Sequence, residues 1–548
     1  MNLAALSFFI ASAICQQPAT LLERGQLLER EIRAGETHWY ELTLVTGDFV
    51  RGVVDQRGTS VNVKGYFPDG NKIRSFNGPA LGPKTFRFVA EAPGTYRLEL
   101  KTEAAASGSY RIEVQEIQAM SARLNIAREE KHRSPRLDAL RREIERGNRD
   151  AVAAFWKEVE TAGTPLAETI ADEAEQLLVT FLWRATFETH NILVIWAPYT
   201  LEHLDDYQMA RLADTDVWYK TLRMPRGARF LYQLSPNDTL SRATNAQRYA
   251  TAQADPLNPR RRPDNPNLTK YEASSIAELP GASSQPWIEA KAETPKGAVV
   301  QRRIKSELLG NERSVSIYTP HGYSRDARSY PLVVLFDEWE YLNLASIPTT
   351  LDNLIAAGRI PPLLVALVSS IDEPTRTREL VCNPRFADFL HQELLPWVRR
   401  DWHVSGSAKD VTVGGVSQGG LAAVYASLRH PESFGNVICQ SGALWVVPGQ
   451  NLNQIRLRGG ELESNWVARQ FIQSPKLPVR FFLEAGLFEN DIWGSGGQIL
   501  ERSRHLRDVL LAKGYEVHYR EYPGGHDFLN WRGSIADGLI ALLGKPAE

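Results

Sequence analysis

The chain has 548 residues, which at roughly 150 per domain predicts about three to four domains instead of one module. Lys and Arg number 63 against 65 Asp and Glu, a net charge of −2, with 23% charged and 43% hydrophobic residues. That is ordinary globular composition; it disfavours a basic nucleic-acid binder and a disordered or collagen-like chain, and no apolar run of about 18 residues exists to cross a bilayer as a helix.

At the N-terminus, LAALSFFIASAI (residues 3–14) precedes the polar QQPAT, the pattern of a signal peptide spanning 1–17, with cleavage after Ala13 or Cys15. The expected location is secreted or periplasmic. The segment lacks Lys and Arg, and bulky Ile14 stands where a lipid-anchored Cys15 would want a small residue. Three Cys cannot build a disulfide framework; Cys382 and Cys439 could pair or could be two buried thiols.

From 23 to 118 apolar residues alternate (Tyr40, Leu42, Leu44; Phe86, Phe88; Tyr96, Leu98, Leu100; Tyr110, Ile112, Val114) between Gly and Asp-Gly punctuation, which predicts an all-β sandwich. The phrases GETHWYELTL, FPDGN and APGTYRLEL resemble the jelly-roll modules appended to secreted bacterial peptidases, for which a binding or spacer role is expected. Between 119 and 163 the period becomes helical, with Leu137, Leu140 and Ile144, then a Gly147-Asn148 stop, then Val152, Phe155, Trp156 and Val159: a helical connector. From 165 to 270 strand-like runs return (LLVTFLWRA, HNILVIWAP, TDVWYKTLRM, RFLYQLS), with aromatic residues expected in the core, and then DPLNPRRRPDNPN reads as a linker or crossing loop. MARLADTDVWYKTLRMP and YQLSPNDT are similar to the immunoglobulin-like N-terminal domain of enterochelin esterases.

From 296 to 548 short apolar strands alternate with amphipathic helices, the signature of one doubly wound α/β domain with seven or eight strands. Gly415-Val416-Ser417-Gln418-Gly419 stands between the strand DVTVGG and the helix LAAVYASLRH. A nucleophile elbow needs small residues flanking the Ser so that the strained turn can close, and the N–H of Gln418 then becomes an oxyanion donor. A serine hydroxyl is a weak nucleophile, so a base and an orienting acid must follow in the order Ser, acid, His. His526 lies just past the strand EVHYREY, among Gly neighbours; His430 and His505 fall in helical segments and His518 inside a strand. Glu489, three residues past the Gly that ends VRFFLEAG, is the favoured acid, with Asp491 as the alternative. The second oxyanion donor is expected in the loop after PLVVLFD, at the backbone of Glu338 or Trp339, where acidic side chains would have to point away. No H-E-x-x-H, paired C-x-x-C, Walker loop or dinucleotide fingerprint is present, so no metal or cofactor is expected.

The region 165–548 resembles the enterochelin esterase (Fes-type) family, kin to feruloyl esterases and esterase D. The resemblance is carried by GRIPPLLVALVSSIDEPTRTRELVCNPRFADFLHQELLP, GGVSQGGLAAVYASLRHPESFGNVICQSGALWV, FLEAGLFEND and GGHDFLNWRGSIADGL. Joined to the patterns upstream, it gives a multidomain chain whose C-terminal α/β-hydrolase follows two β-sandwich modules and a helical connector. It implies a serine carboxylesterase working through an acyl-enzyme, with Ser417 as nucleophile, His526 as base and an acid near Glu489. Arg378 and Glu379 would line the pocket, or else form a structural ion pair. Relatives usually carry Gly where this chain has Glu338, and the first β module is an addition, so the ester could be a siderophore trilactone or a polysaccharide-linked acyl or feruloyl group. The alternative is a noncatalytic exported protein that binds a glycan or partner through its β modules.

Overall fold

The computed structural model describes residues 19–78, 81–102, 107–119, 133–196, 204–238, 250–326, 329–448, 465–489 and 498–544. The signal-like segment and Asp491 lie outside them. The chain divides into two compact units, the first made of residues up to Asn125 with Asn237–Ala252 and Asn265–Glu272, the second of the rest.

In the first unit a five-stranded and a four-stranded sheet share one core. Period-two alternation sends Tyr40, Leu42 and Leu44 of one sheet and Tyr110, Ile112 and Val114 of the other into it, each at most 2% exposed. The polar atoms carried in are paired: the Tyr110 hydroxyl meets His38 Nδ1 at 2.6 Å and the Tyr40 hydroxyl at 2.7 Å. Of the stretch predicted as one domain over 165–270, Asn237–Ala252 and the segment that begins at Asn265 cluster with this first unit. The cause is local pairing: Thr269 Oγ1 donates to the Ile73 carbonyl at 2.6 Å, and Glu272 accepts from the Ser75 N–H and pairs with Lys72.

The second unit opens with helices Pro135–Glu145 and Ala151–Ala162, joined through Gly147 at φ 80°. They bury Leu137, Leu140, Phe155, Trp156 and Val159 against Leu166, Leu182 and Val217. Two four-stranded sheets follow, and Trp183, Trp218 and Tyr232 lie in their core, as the aromatic content predicted. The strand Ser274–Glu278 completes the second sheet by pairing with Arg229–Pro236, so this body runs past residue 270.

The C-terminal part holds an eight-stranded sheet, whose strands run in the spatial order Ala298–Ser306, Asn311–Thr319, Leu364–Val368, Leu332–Phe336, Val411–Val416, Asn436–Gln440, Arg480–Gly486 and Glu516–Tyr522. The last six are parallel to one another, and Asn311–Thr319 is antiparallel to both its neighbours. Strands such as Leu332–Phe336 are wholly buried and read as continuous apolar runs because helices cover both faces. The edge strand Ala298–Ser306 faces solvent along most of its length, so its sequence AVVQRRIKS carries charge instead of the apolar run that marks the inner strands. Among the described residues no helix is long and apolar enough to cross a membrane.

Candidate active site

The strand Val411–Val416 turns at Ser417 into the helix Gln418–Arg429. Ser417 takes φ 55° and ψ −118°, a conformation that costs a side-chain-bearing residue on the order of 1–3 kcal/mol and persists only where its surroundings enforce it. They do. The Ser417 N–H donates to the Gln440 carbonyl at 3.0 Å, and its own carbonyl accepts from Leu421 at 3.1 Å and Ala443 at 2.9 Å. A Cβ on Gly415 would stand 2.7 Å from the Gly419 carbonyl carbon, so the turn closes only around glycine. Gln418 opens the helix, and its N–H is one of the first-turn donors with no acceptor inside the helix.

His526 follows the strand Glu516–Tyr522, and Glu489 follows Arg480–Gly486, at the same edge of the parallel sheet as Ser417. His526 Nδ1 lies 2.6 Å from Glu489 Oε1, and Nε2 lies 3.0 Å from Ser417 Oγ. With Nδ1–H donating to the carboxylate, Nε2 is left as the acceptor for the serine hydroxyl. Glu489 is fully buried, and its other oxygen accepts the Gly486 N–H at 2.6 Å, which holds the carboxylate in one orientation. The Trp531 ring stands perpendicular to the imidazole with centroids 4.7 Å apart, and its Nε1–H donates to Ser441 Oγ at 3.0 Å.

The β-rich body touches both loops. The Arg229 N–H donates to the Pro523 carbonyl at 2.9 Å, Asn530 Nδ2 donates to the Arg229 carbonyl at 3.0 Å, and Phe230 packs edge-on against Phe488, the neighbour of Glu489.

In the loop after Leu332–Phe336, Asp337 adopts φ 63° and Glu338 and Trp339 open the helix Glu338–Asn343. The Glu338 carboxylate points away from the elbow: it is buried and accepts from Gln301 Nε2 at 3.1 Å, Ser314 Oγ at 2.7 Å and the Ser316 hydroxyl. Trp339 is 61% exposed. Asp337 is held by Arg376 through two parallel bonds of 2.7 and 2.8 Å, and a third nitrogen of Arg376 reaches Gln418 Oε1 at 3.1 Å. Arg376 thus ties the two predicted donor loops together, a role the sequence reading missed because the partners lie 39 and 42 positions away. Removing one partner of a buried pair strands the other charge. Arg376→Ala is therefore expected to cost about 3–5 kcal/mol in chemical denaturation.

Glu379 corrects the sequence reading. It is buried against Arg313 at 2.7 Å, with the guanidinium near the Phe389 ring, so its carboxylate is spent on a structural ion pair. Its partner is not Arg378, which is exposed and donates to Thr375 Oγ1 at 3.0 Å. Cys382 and Cys439 are two separate buried thiols. One group among the described residues brings three metal-ligand atoms within 4.8 Å, His391, His430 and Glu432, but its imidazoles stack in parallel 4.3 Å apart, so an ion cannot lie in both ring planes unless one ring turns.

Beneath the elbow, Glu484 is fully buried, and one of its oxygens accepts from Gln440 Nε2 at 2.9 Å and Ser534 Oγ at 2.5 Å while the other has no partner. Burial pushes its pKa up to about 7, offset only in part by those two donors. A raised carboxyl pKa means that the fold holds this proton more tightly than the unfolded chain does. The associated stability is complete below about pH 4.5 and is lost as pH rises through about 7, on the order of 3 kcal/mol. Glu484→Gln is expected to remove that share of the pH dependence, read by urea denaturation at pH 5 and pH 8.

The family model described as "Enterochelin esterase, N-terminal" matches residues 178–288, and one described as "Putative esterase" matches 306–542. The iron(III) enterobactin esterase of Dickeya dadantii is 32% identical over 420 residues, covering 71% of this chain and 92% of that protein. The chain belongs to the enterochelin esterase family. This esterase is also 28% identical to the iron(III) salmochelin esterase of Escherichia coli O6:H1, over 74% of its own chain and 97% of that one. The crystal structure of the Shigella flexneri enterobactin esterase with 2,3-dihydroxy-N-benzoyl-serine superposes with a TM-score of 0.54 at 29% identity, covering 71% of this chain and 97% of that one. The protein is accordingly a carboxylic ester hydrolase, with a C-terminal domain of α/β-hydrolase type and a β-rich N-terminal region.

Proposed function

We propose that this enzyme cleaves the ester bonds of a catecholate siderophore, with Ser417 as nucleophile, His526 as general base and acid, and Glu489 as the orienting acid. The observation that carries the reading is the continuous line from Ser417 Oγ through the imidazole to a buried carboxylate. Ser417 Oγ attacks the ester carbonyl carbon as His526 Nε2 takes its proton. The oxyanion is met by the N–H of Gln418 and by that of Glu338 or Trp339. The imidazolium then protonates the leaving alkoxide, and water enters by the same route to free the acid and restore the serine. Glu489 stabilises the imidazolium without taking its proton.

The substrate class rests on the enterobactin and salmochelin esterases among the relatives. With purified protein, kcat/KM on ferric enterobactin is expected to exceed that on methyl ferulate or acetylated xylan by at least about 100-fold, since a pocket built for polar groups rejects analogues lacking them. Preference for either of the other two esters would transfer the enzyme to plant-polysaccharide deacylation. We further propose export through residues 3–14, which cell fractionation would test, and a binding or spacer role for the first β module.

A further inference from the structure

The arginine-rich stretch whose composition reads as a linker or crossing loop lines a cavity of about 670 Å³, within the usual range for small-molecule sites. Arg260, Arg261 and Arg262 line it together with Arg532, Asn343 and Ser346 of the hydrolase domain. Four arginines thus face two lining carboxylates, Asp264 and Glu289, in a chain whose net charge is −2. Among the described residues Arg261, Arg262 and Arg532 form no ion pair: Arg262 donates to the Leu344 carbonyl, and Arg532 Nε donates to Gln285 Oε1 at 3.1 Å. Burial, then the neighbouring guanidinium groups of Arg262 and Arg229, lower the Arg532 pKa to about 10. Half-buried cations crowded in this way are destabilising until an anion joins them.

The cavity lies beside the reaction site. Arg532 is on the helix Phe528–Leu543, roughly 6 Å along its axis from the start, and that helix is capped by Asp527, the neighbour of His526. Both Arg262 and Arg532 are drawn to the Asp527 carboxylate. The lining residues Leu344, Ala345 and Ser346 directly follow the helix Glu338–Asn343, which begins at the proposed donors Glu338 and Trp339.

We propose that this cavity is the anion subsite of the enzyme, in which Arg262 and Arg532 seat the carboxylate that ester cleavage leaves on a dihydroxybenzoylserine unit of the opened siderophore. The inference rests on the siderophore reading above. A guanidinium presents a planar fork that matches the two oxygens of a carboxylate and can stack on an aromatic face, which a compact ammonium cannot do.

The test is titration calorimetry of 2,3-dihydroxybenzoylserine into the full chain carrying Ser417→Ala, compared with the same chain carrying Arg262→Gln or Arg532→Gln. Each is expected to raise Kd about tenfold and to weaken its salt dependence. Arg262→Lys and Arg532→Lys keep the charge and are expected to fall between; they serve wherever a Gln variant fails to fold. Equal Kd values across the set, or no binding by the parent, overturn the assignment. Turnover is read separately. A native enzyme that cleaves p-nitrophenyl esters but not the trilactone counts against the siderophore reading, while the Kd comparison still judges the cavity.

Discussion

Ser417→Ala is expected to lower kcat for a p-nitrophenyl ester by about 10⁵- to 10⁶-fold and to abolish labelling by a fluorophosphonate probe. The loss is this large because hydroxyl, imidazole and carboxylate act as one unit: with Oγ gone, His526 has no proton to take and no acyl-enzyme can form. The backbone at 417 already pays for φ 55° with a serine, and alanine meets the same strain, so thermal unfolding should shift by no more than about 2 °C. A variant that keeps more than about one hundredth of native turnover would remove Ser417 from the chemistry.

Glu489→Gln is expected to lower kcat by about 10⁴-fold with little change in KM. An amide in place of the carboxylate keeps the shape but can present an N–H to Nδ1, which favours the tautomer whose Nε2 carries the proton and cannot accept from Ser417. It also withdraws the charge that stabilises the imidazolium. Asp491→Asn, at the residue that the spacing left as the alternative acid, should stay within about threefold of native kcat. The reverse ranking would move the acid to Asp491.

Much of this arrangement is legible in the chain because it depends on local backbone geometry. The elbow at 415–419 needs small residues at a strand-to-helix turn, and a parallel sheet delivers the loops that carry Ser417, Glu489 and His526 to one edge. The buried alternation of the first module and the continuous apolar strands of the hydrolase sheet are likewise readable, since period and length respond directly to which faces are covered.

The rest was decided by partners far apart in sequence. Whether Glu338 would spoil an oxyanion site depended on Gln301, Ser314 and Ser316, which draw its carboxylate away. Of the two roles open to Glu379, pocket lining or a structural ion pair, burial selects the second, and with Arg313, 66 positions earlier, instead of its neighbour Arg378. The DPLNPRRRPDNPN stretch has the composition of a linker, yet packing splits it, placing Arg260, Arg261 and Arg262 on a cavity wall. Local propensity and periodicity set the elements and their order, since those arise within a few residues. The direction in which a buried charge points is set by the lowest-cost partner in three dimensions, and that only the tertiary structure decides.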